Sequence, residues 1–590
     1  MPTADGAIRV ANCSGFYGDR VAAAEEMVEG GPIDFLTGDW LAELTMYILS
    51  RSQAKTPSAG YARTFVTQMD QVMGTCLDRG IKVVSNAGGL NPRACAEAVA
   101  QVADKLGLSP RIAYVEGDDL LPRLGELESA GQELRNLDTG QRLADLGVEV
   151  ITANAYLGCW GIVEALERGA DIVVTGRVTD AAVVMGPPAW AFGWKRDDWD
   201  RLAGACVAGH VIECGAQATG GNYAFFTEIA DLGHAGFPIA EVAADGSCVI
   251  TKHEGTGGQV SIGTVTSQLL YEIGGPRYAN PDVVARFDTI RLAPAGEDRV
   301  RISGTRGEPA PPTLKVAMNY QGGWRNGFTF ALTGLDIEDK AALLERQLWA
   351  AFPGGRDHFE QVRTQLIRTD KVDPGANEEA VALYKVTVKD RDERKVGRAF
   401  ANAGVEIGLA SIPGFFGVSG GPGPGAPYGV YWPTLVPSEL VPQTVTLLGE
   451  GPTVVDNTAP GLSGDDVSPA AAEVPPAPDG PTEHAPLGRI LGARSGDKGG
   501  NANLGVFARS AEAYAWLDRF LTVERFQQLL EDTQPFEVER FPLPNLWSVN
   551  FVVKGLLEEG VAASSRQDGQ AKGFGEYLRA KYADIPASLL

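Results

Sequence analysis

Residues 81–107 read IKVVSNAGGLNPRACAEAVAQVADKLG, and this stretch decides the fold class. The β-branched run at its start predicts a buried strand, and the glycines that follow predict a tight turn. Asn91 suits the N-cap of a helix, Pro92 suits its first turn, and Gly107 marks its end. The stretch is therefore one strand–turn–helix unit.

The same order of elements recurs elsewhere in the first half of the chain. Strand-like runs at 8–15 (IRVANCSG), 147–158 (GVEVITANAYLG) and 171–184 (DIVVTGRVTDAAVV) each lead into a helical pattern. Buried β-branched runs alternating with helices are typical of a parallel α/β sheet. Ligands bind such sheets at the loops that follow the strands. We expect the loops at 15–20, 86–91, 154–159 and 176–180 to share one edge.

Composition changes along the chain predict four segments. The first is an N-terminal α/β domain over residues 7–284, and the second is an α+β layer over 285–450 with a long Gly/Pro loop at 413–433. A Pro/Ala-rich linker at 451–485 follows, and residues 486–584 regain the pattern of a small α+β domain.

The overall charge and the cysteine content narrow the class of protein. A formal net charge of −24 makes nucleic acid and anionic membranes poor partners. No run approaches the ~20 apolar residues of a membrane span, and the N-terminus lacks a signal-peptide pattern. Seven cysteines without CxxC spacing favour reduced thiols, so we expect a cytoplasmic protein.

Several cofactor motifs are missing from the sequence. It contains no Walker A, GxGxxG or HExxH motif, which argues against a P-loop NTPase, a standard Rossmann dehydrogenase and a zincin. We expect no cofactor and no metal, with coenzyme A entering only as part of a substrate. The length and the glycine-rich surface loops favour a homo-oligomer.

Two turns after predicted strands carry polar side chains suited to a ligand. In the first turn, Asn86, Gly88, Gly89 and Asn91 combine backbone N–H groups with carboxamides, which suits an anion or a carbonyl oxygen. A tight turn that simply needs glycine is the alternative.

The turn at 175–182 offers a cation instead. Arg177 can hold a carboxylate or a phosphate bidentately. Asp180 is a candidate for acid–base work, and its structural alternatives are a helix N-cap or a partner that orients Arg177. Asp39 and Glu43, spaced i, i+4, are two further carboxylates for the pocket or charges at a helix start.

The stretch GHVIECGAQATGGNY at 209–223 places His210, Glu213 and Cys214 on one helical face. His210 with Glu213 forms a candidate acid–base pair; a metal site and plain burial are the alternatives. Two glycine loops that each follow a His and a Glu suggest two walls of one cleft. Their candidate substrate-binding residues are Thr219, Gly220, Gly221, Asn222, His253, Gly257 and Gly258.

The stretch ARSGDKGGNANLGV at 493–506 concentrates charge and glycine after a predicted strand. We interpret it as a loop that cradles a carboxylate or a phosphate. A salt-bridged β-hairpin with its charges facing solvent is the alternative. The candidate binding residues are Arg494, Ser495, Asp497, Lys498 and Asn501.

Long motifs in consistent order resemble the acyclic terpene utilisation (AtuA) family. They include ANCSGFYGD, GGPIDFLTGDWLAELTMYIL, VTGRVTDAA, HVIECGAQATGGNY, HEGTGGQVS and YGVYWPTLVPSELV within residues 7–450, and ARSGDKGGNANLGV in the C-terminal domain. The resemblance implies a ferredoxin-like fold for residues 486–584. It also implies a part in the bacterial breakdown of citronellol- and geraniol-type isoprenoids, which proceeds through acyl-CoA thioesters. It transfers no catalytic residue.

Together these observations favour a hydratase or lyase acting on a branched carboxylic acid or its acyl-CoA thioester. Glu213 with His210, and Asp180, are the acid–base candidates, and the turn at 86–89 would bind an enolate oxygen. Arg177, Arg494 and Lys498 would hold the carboxylate or a CoA phosphate. The alternatives are a non-catalytic acyl-CoA-binding or scaffold partner of a carboxylase, and a metal-dependent hydrolase that uses His210, Glu213 and His253.

Overall fold

A computed structural model describes residues 6–418, 423–457 and 467–590. The chain forms two compact units. The first comprises the chain up to residue 319 together with 431–561 and 568–590, and the second comprises 320–430 and 562–567. The sequence placed boundaries at 284/285 and 450/451, whereas this division falls at 319/320 and 430/431.

The described residues form strands from both halves of the chain. The strands are β1 Ile8–Asn12, β2 Phe35–Gly38, β3 Lys82–Ser85, β4 Ile112–Glu116, β5 Val150–Ala155, β6 Ile172–Thr175, β7 Pro238–Val242, β8 Cys248–Lys252, β9 Arg277–Ala279, β10 Val284–Arg286, β11 Arg291–Gly296, β12 Arg299–Ser303, β13 Arg306–Glu308, β14 Thr313–Thr333, β15 Gln361–Ile367, β16 Val381–Asp390, β17 Phe415–Gly417, β18 Ala426–Pro437, β19 Gln443–Leu447, β20 Thr453–Val455, β21 Thr482–Pro486, β22 Leu491–Lys498, β23 Asn501–Ala508, β24 Val538–Leu543, β25 Ser548–Val553 and β26 Tyr582–Pro586.

The α-helices alternate with these strands in the first half and are sparser in the second. They are α1 Ala23–Glu29, α2 Glu43–Lys55, α3 Arg63–Arg79, α4 Pro92–Leu106, α5 Leu124–Ser129, α6 Trp160–Glu167, α7 Ala182–Ala191, α8 Trp199–Ile212, α9 Ile262–Leu269, α10 Ile337–Ala350, α11 Glu393–Val396, α12 Arg398–Glu406, α13 Ala511–Phe520, α14 Val523–Leu529 and α15 Phe574–Arg579. None of the helices in the described ranges is both long and apolar enough to span a membrane.

The first unit is built on a large mixed sheet. Its strand order is β11-β12-β8-β7-β1-β2-β3-β6-β4-β19-β20, and the run from β1 to β4 is parallel. Antiparallel strands extend the sheet beyond β1 and β4. Helices α3 and α4 pack against the parallel strands through a buried core that includes Phe65, Val72 and Val99. The predicted parallel α/β architecture is confirmed.

The strand–turn–helix unit at 81–107 forms as its local signals predict. The Asn91 side chain accepts a hydrogen bond from Ala94 N (3.2 Å) at the start of α4, and Pro92 occupies the first turn. Gly107 ends the helix with φ of +70°, which only glycine adopts at little cost. All of these signals lie within the segment itself, so the sequence alone predicts the unit.

One predicted strand of the parallel sheet belongs elsewhere. β5 pairs with the long strand β14 and not with the parallel strands, because β4 occupies the position beside β6. The segment after β5 nevertheless reaches the predicted edge, since Leu157 forms a parallel bridge with Val178.

The second unit contains a sheet in the order β15-β16-β14-β17. Helices α10 and α12 cover one face of it through an aromatic core around Phe328, Phe352 and Phe400. The predicted long loop at 413–433 contains β17 and the start of β18, and its residues 419–422 lie outside the described ranges.

The C-terminal domain is an antiparallel sheet in the order β22-β23-β25-β24, with α13, α14 and α15 enclosing its core. The stretch 493–506, predicted as a loop, is a β-hairpin: Lys498 pairs with Asn501 across the two-residue turn at 499–500. The predicted linker begins with β20, which pairs with β19, and its residues 458–466 fall outside the description.

A close approach between this hairpin and the α/β domain requires glycine. A Cβ added to Gly505 would lie 2.4 Å from Leu270 Cβ, and one added to Gly496 would lie 2.4 Å from the Tyr271 ring. We expect Gly505→Ala to lower the free energy of unfolding by about 1–3 kcal/mol because it overpacks this contact. Urea denaturation followed by tryptophan fluorescence measures the loss.

Gly74→Ala is the matched control, since Gly74 lies inside α3 with only one side-chain atom at 4.0 Å. This change should be neutral or stabilising by about 0.5–1 kcal/mol. Equal stability of the Gly505→Ala variant and the wild type would contradict the close packing.

Candidate functional site

Ten ionisable side chains of the first unit form one interacting cluster, and we call the place where they meet the charged recess. Their interactions with one another shift several of their pKa values. The side chains of Glu43, Asp180 and Lys315 keep 28%, 27% and 37% of their surface accessible although protein encloses them. The recess is defined by Asp39, Glu43, Arg177, Asp180, Glu213, Glu272, Lys315, Asp497, Lys498 and Lys572.

Arg177, placed just after β6, is the buried cation of the recess. Its Nη1 donates to Asp180 Oδ1 at 2.7 Å and to the carbonyl of Leu41 at 3.2 Å. The guanidinium carbon lies 4.2 Å from the centre of the Tyr156 ring. Burial raises the pKa of Asp180, and Arg177 opposes this shift. This geometry matches the alternative in which Asp180 orients Arg177.

Asp118 holds the backbone from which Arg177 projects. Its Oδ2 accepts from Arg177 N and from Asn154 Nδ2, both at 2.9 Å. Position 176 requires glycine, because a Cβ there would lie 2.3 Å from Asp118 Oδ1. Burial raises the pKa of this carboxyl to about 7.

Asn86 binds a neighbouring aspartate within the protein. Its Nδ2 donates to Asp39 Oδ1 at 2.5 Å, and its Oδ1 accepts from Trp40 N at 2.8 Å. Leu41 N also donates to Asp39 Oδ1. Burial, and then the negative charge of Asp180, raise the pKa of Asp39 to about 8. Asp39 therefore holds a proton near neutral pH.

The pKa of Glu43, four residues along the chain, shifts in the opposite direction. Its Oε1 accepts from the Tyr156 hydroxyl at 2.6 Å and lies 3.4 Å from Lys315 Nζ. Burial raises its pKa, but Lys315, Arg177 and the Tyr156 hydroxyl outweigh burial and lower the pKa to about 2. Two carboxyls of one segment thus differ in protonation at neutral pH.

Glu213 follows the last residue of α8 and is buried. Burial, and then the charges of Asp180 and Asp39, raise its pKa well above the ordinary value. Its Oε2 has no hydrogen-bond partner among the described residues. Burial therefore favours the protonated form of this side chain, and its Oε2 is a buried oxygen without a partner among the described residues.

His210 lies beside Glu213, with 3.6 Å between His210 Nδ1 and Glu213 Oε1. Its ring packs against Tyr278 and Phe287, with centroid separations of 5.0 and 5.4 Å. Burial, and then the charge of Lys498, lower the pKa of His210 to about 4. The predicted acid–base pair is thus brought together, with the histidine neutral.

The C-terminal domain contributes charges to the same recess. Lys498 Nζ donates to the backbone carbonyl of Glu272 at 3.1 Å. Lys572 Nζ lies 3.7 Å from carboxylate oxygens of both Glu272 and Asp497. Burial, and then Glu272, raise the pKa of Asp497 to about 7. The charges of the hairpin face this recess and not open solvent alone.

Arg494 of the hairpin also faces the α/β domain. Its guanidinium carbon lies 4.1 Å from the centre of the Tyr271 ring, and Nη2 donates to Gln217 Oε1. Lys572 Nζ lies 4.6 Å from the centre of the same ring. Tyr271 is thus held by two cations of the C-terminal domain.

Other predicted binding residues hold the local structure. A Cβ at Gly88 would lie 2.5 Å from the carbonyl oxygen of Thr175, and one at Gly89 would lie 2.8 Å from that of Gly60. Asn91 caps α4 and donates to the Pro57 and Ala59 carbonyls. These contacts match the tight-turn alternative.

Two residues of the hairpin have similar structural partners. Ser495 Oγ donates to the Ala571 carbonyl at 2.6 Å and accepts from Gly575 N at 2.8 Å. Asn501 Nδ2 donates to Asp138 Oδ1 at 2.9 Å. Both side chains fasten neighbouring segments.

The two glycine loops lie in direct contact, so the expected open cleft between them is filled. The Thr219 carbonyl accepts from Gln259 N at 2.7 Å, and Thr219 Oγ1 donates to the Gly236 carbonyl at 2.6 Å. A Cβ at Gly258 would lie 2.4 Å from the Thr219 carbonyl oxygen. The same packed loops contain Gly220, Gly221, Asn222 and Gly257.

His253 packs beneath the end of α1. Its Nε2 lies 2.9 Å from the Met27 carbonyl oxygen, and a Cβ at Gly31 would lie 2.8 Å from its Nδ1.

Among the residues that the structure describes, no group of three or more His, Cys, Asp or Glu side chains has the arrangement of a metal site.

Sequence reasoning missed Glu272, Lys315, Lys572 and Tyr156. Glu272 and Lys572 each stand just before glycines. The same pattern identified the other candidate loops, so it could have identified these two residues. Lys315 lies within β14 in an ordinary strand pattern, and only its pairing with β5 brings it to the recess.

The fold and the site define a multidomain α/β protein with a small C-terminal α+β domain and a cluster of interacting carboxyls and cations. Residues 8–447 match the family model described as acyclic terpene utilisation family protein AtuA. Residues 485–582 match the AtuA ferredoxin-like domain. The chain belongs to the AtuA family, and this membership places it in acyclic terpene utilisation. Comparison with curated proteins and with solved structures found no match.

Asp39 generates a pH-dependent prediction. Asp39→Asn keeps the oxygen that accepts from Asn86 and Leu41 but removes the titration. The folded pKa of about 8 exceeds an unfolded value of about 4, so the stability that Asp39 contributes is fully present below pH ~4 and is lost as the pH rises to ~8.

We therefore expect the wild type to lose about 1 kcal/mol or more of unfolding free energy relative to Asp39→Asn across this window. Urea denaturation at a series of pH values measures both profiles. Glu97→Gln, a change at an exposed carboxylate paired with Arg93, is the control and should run parallel to the wild type. Parallel profiles for Asp39→Asn would refute the raised pKa.

Proposed function

We propose that this protein is an enzyme of the hydratase or lyase class that moves protons at a carbon beside a carbonyl group. Its substrate is a branched carboxylic acid or the corresponding acyl-CoA thioester formed during acyclic isoprenoid breakdown. The observation that carries the proposal is Glu213, a buried carboxyl whose pKa is raised by burial and whose Oε2 has no partner among the described residues. A carboxyl kept protonated near neutral pH is suited to general acid catalysis.

Asp180 is the proposed base of the same reaction. Its raised pKa makes it a stronger base than an ordinary carboxylate, and Arg177 orients it through the 2.7 Å hydrogen bond. In a dehydration, Asp180 takes the proton from the carbon beside the carbonyl, and Glu213 gives a proton to the departing hydroxyl group. The products are the unsaturated compound and water, and hydration follows the reverse path.

Cations of the recess stabilise the charge that develops on the carbonyl oxygen. Lys315 is the candidate for this role, since Glu43 at 3.4 Å keeps it charged while part of its side chain stays accessible. This replaces the role that the sequence proposed for the turn at 86–89, because Asn86 is bonded to Asp39 and Trp40.

The balance of charge also bears on the substrate. Carboxyls outnumber cations in the recess, which would repel an anion if all were ionised. Burial raises the pKa of five of the six carboxyls, Asp39, Asp180, Glu213, Glu272 and Asp497. Protonation removes part of this repulsion, so a carboxylate or thioester carbonyl can approach the lysines.

Glu213→Gln tests the proposal without knowledge of the net reaction. In D2O the wild type should take up deuterium beside the carbonyl of an accepted substrate through repeated dehydration and hydration. Because each dehydration needs Glu213 to protonate the departing hydroxyl group, the variant should take up deuterium about 10²–10⁴-fold more slowly. The assay follows deuterium uptake by mass spectrometry across branched acids and their CoA thioesters.

Glu254→Gln is the control, because Glu254 is an exposed carboxyl near the packed glycine loops. It should exchange at the wild-type rate. Binding of an acyl-CoA with no exchange on any member of the panel would favour the non-catalytic alternative. Undiminished exchange by the Glu213→Gln variant would remove Glu213 from the mechanism.

A further inference from the structure

The three lysines of the charged recess have different partners. Lys315 lies 3.4 Å from Glu43, and Lys572 lies 3.7 Å from carboxylate oxygens of two acidic residues. Lys498 instead donates only to a backbone carbonyl, that of Glu272, among the contacts of the described residues. Lys498 is therefore the lysine of the recess that no carboxylate holds as an ammonium ion.

The position of Lys498 is fixed, and its side chain keeps exposed surface although protein groups surround it. It is the last residue of β22, paired with Asn501 directly before the turn at 499–500. The neighbouring Asn503 donates to the Leu270 carbonyl and accepts from Glu272 N, which fastens β23 to the segment that faces Lys498. A rigid backbone thus presents an accessible amine to the recess.

We propose that Lys498 is a nucleophile that forms an imine with the ketone group of an oxo acid. This inference rests on the proposed function and makes it more specific: the enzyme is an imine-forming lyase whose substrate carries a ketone beside the reacting carbon. Lysines that do this are desolvated or lie near a second cation, and they react as neutral amines.

The charges around Lys498 agree with this role. Burial, and then the positive charge of Lys315, lower the pKa of Lys498, while Glu272, Glu43 and Glu213 oppose the shift. The groups that face it from the α/β domain thus include a second cation and the proposed acid. Lys315 would also hold the carboxylate of the oxo acid.

The covalent step balances with the residues present. The Lys498 nitrogen forms a bond to the ketone carbon, and the carbonyl oxygen takes protons and leaves as water, with Glu213 as the acid. The resulting iminium draws electrons from the adjacent carbon and so forms an enamine. Asp180 takes either a proton from that carbon or the hydroxyl proton of the next carbon, in which case the bond between the two carbons breaks and a carbonyl fragment leaves. The enamine then takes back a proton, and water releases the product and the free amine.

Borohydride reduction traps such an imine irreversibly. Incubation of the full-length protein with levulinate, a simple oxo acid, and borohydride should label the peptide that holds Lys498 at least about tenfold above other lysine peptides. Peptide mapping by mass spectrometry measures the label. Lys498→Arg keeps the charge and should abolish the label, whereas Lys554→Arg, at an exposed lysine of the same domain, should leave it unchanged.

The outcomes separate this inference from the proposed function. Equal labelling of all lysines, or labelling that survives Lys498→Arg, overturns the imine. If Glu213→Gln still abolishes proton exchange in that case, the proposed function stands without the imine. Specific labelling of Lys498 together with undiminished exchange by the Glu213→Gln variant would support Lys498 as the nucleophile and exclude Glu213 as the acid.

Discussion

The charged recess depends on one buried cation, the guanidinium of Arg177. It pairs with Asp180, stacks on Tyr156 and bonds the Leu41 carbonyl, while Asp118 holds its backbone. Without it, the carboxyls around it would be buried with less compensating charge, which proteins tolerate poorly. Burial raises the pKa values of Asp39, Asp180 and Glu213, and Arg177 opposes this shift at each of them.

The second constraint is that the recess is assembled from two domains of the first unit. The hairpin β22–β23 carries Asp497 and Lys498 into contact with the segment around Glu272, and close approach at Gly496 and Gly505 makes this possible. The C-terminal ferredoxin-like domain is therefore part of the site. An AtuA-type α/β domain without it would lack two lysines of the recess.

Local signals predicted the parallel sheet and the unit at 81–107, since strand, turn, cap and helix stop lie close together in the chain. The sequence identified Arg177 and Asp180 because they lie in a turn after a predicted strand. It identified His210 and Glu213 because they share one face of a predicted helix. It favoured a loop for the stretch 493–506, since charges and glycines there resemble loop composition. The pairing of β22 with β23 instead makes this stretch a β-hairpin, which was the alternative. The sequence could not reveal Lys315, whose place depends on the long-range pairing of β5 with β14.

The central claim is that Glu213 is protonated at neutral pH inside this recess. Infrared difference spectroscopy of the wild type minus Glu213→Gln at pH 7 tests it directly, because protonated and ionised carboxyls absorb at separate frequencies. The account predicts that the variant loses a band of a protonated carboxyl. Loss of carboxylate bands alone would show that Glu213 is ionised and would contradict the account.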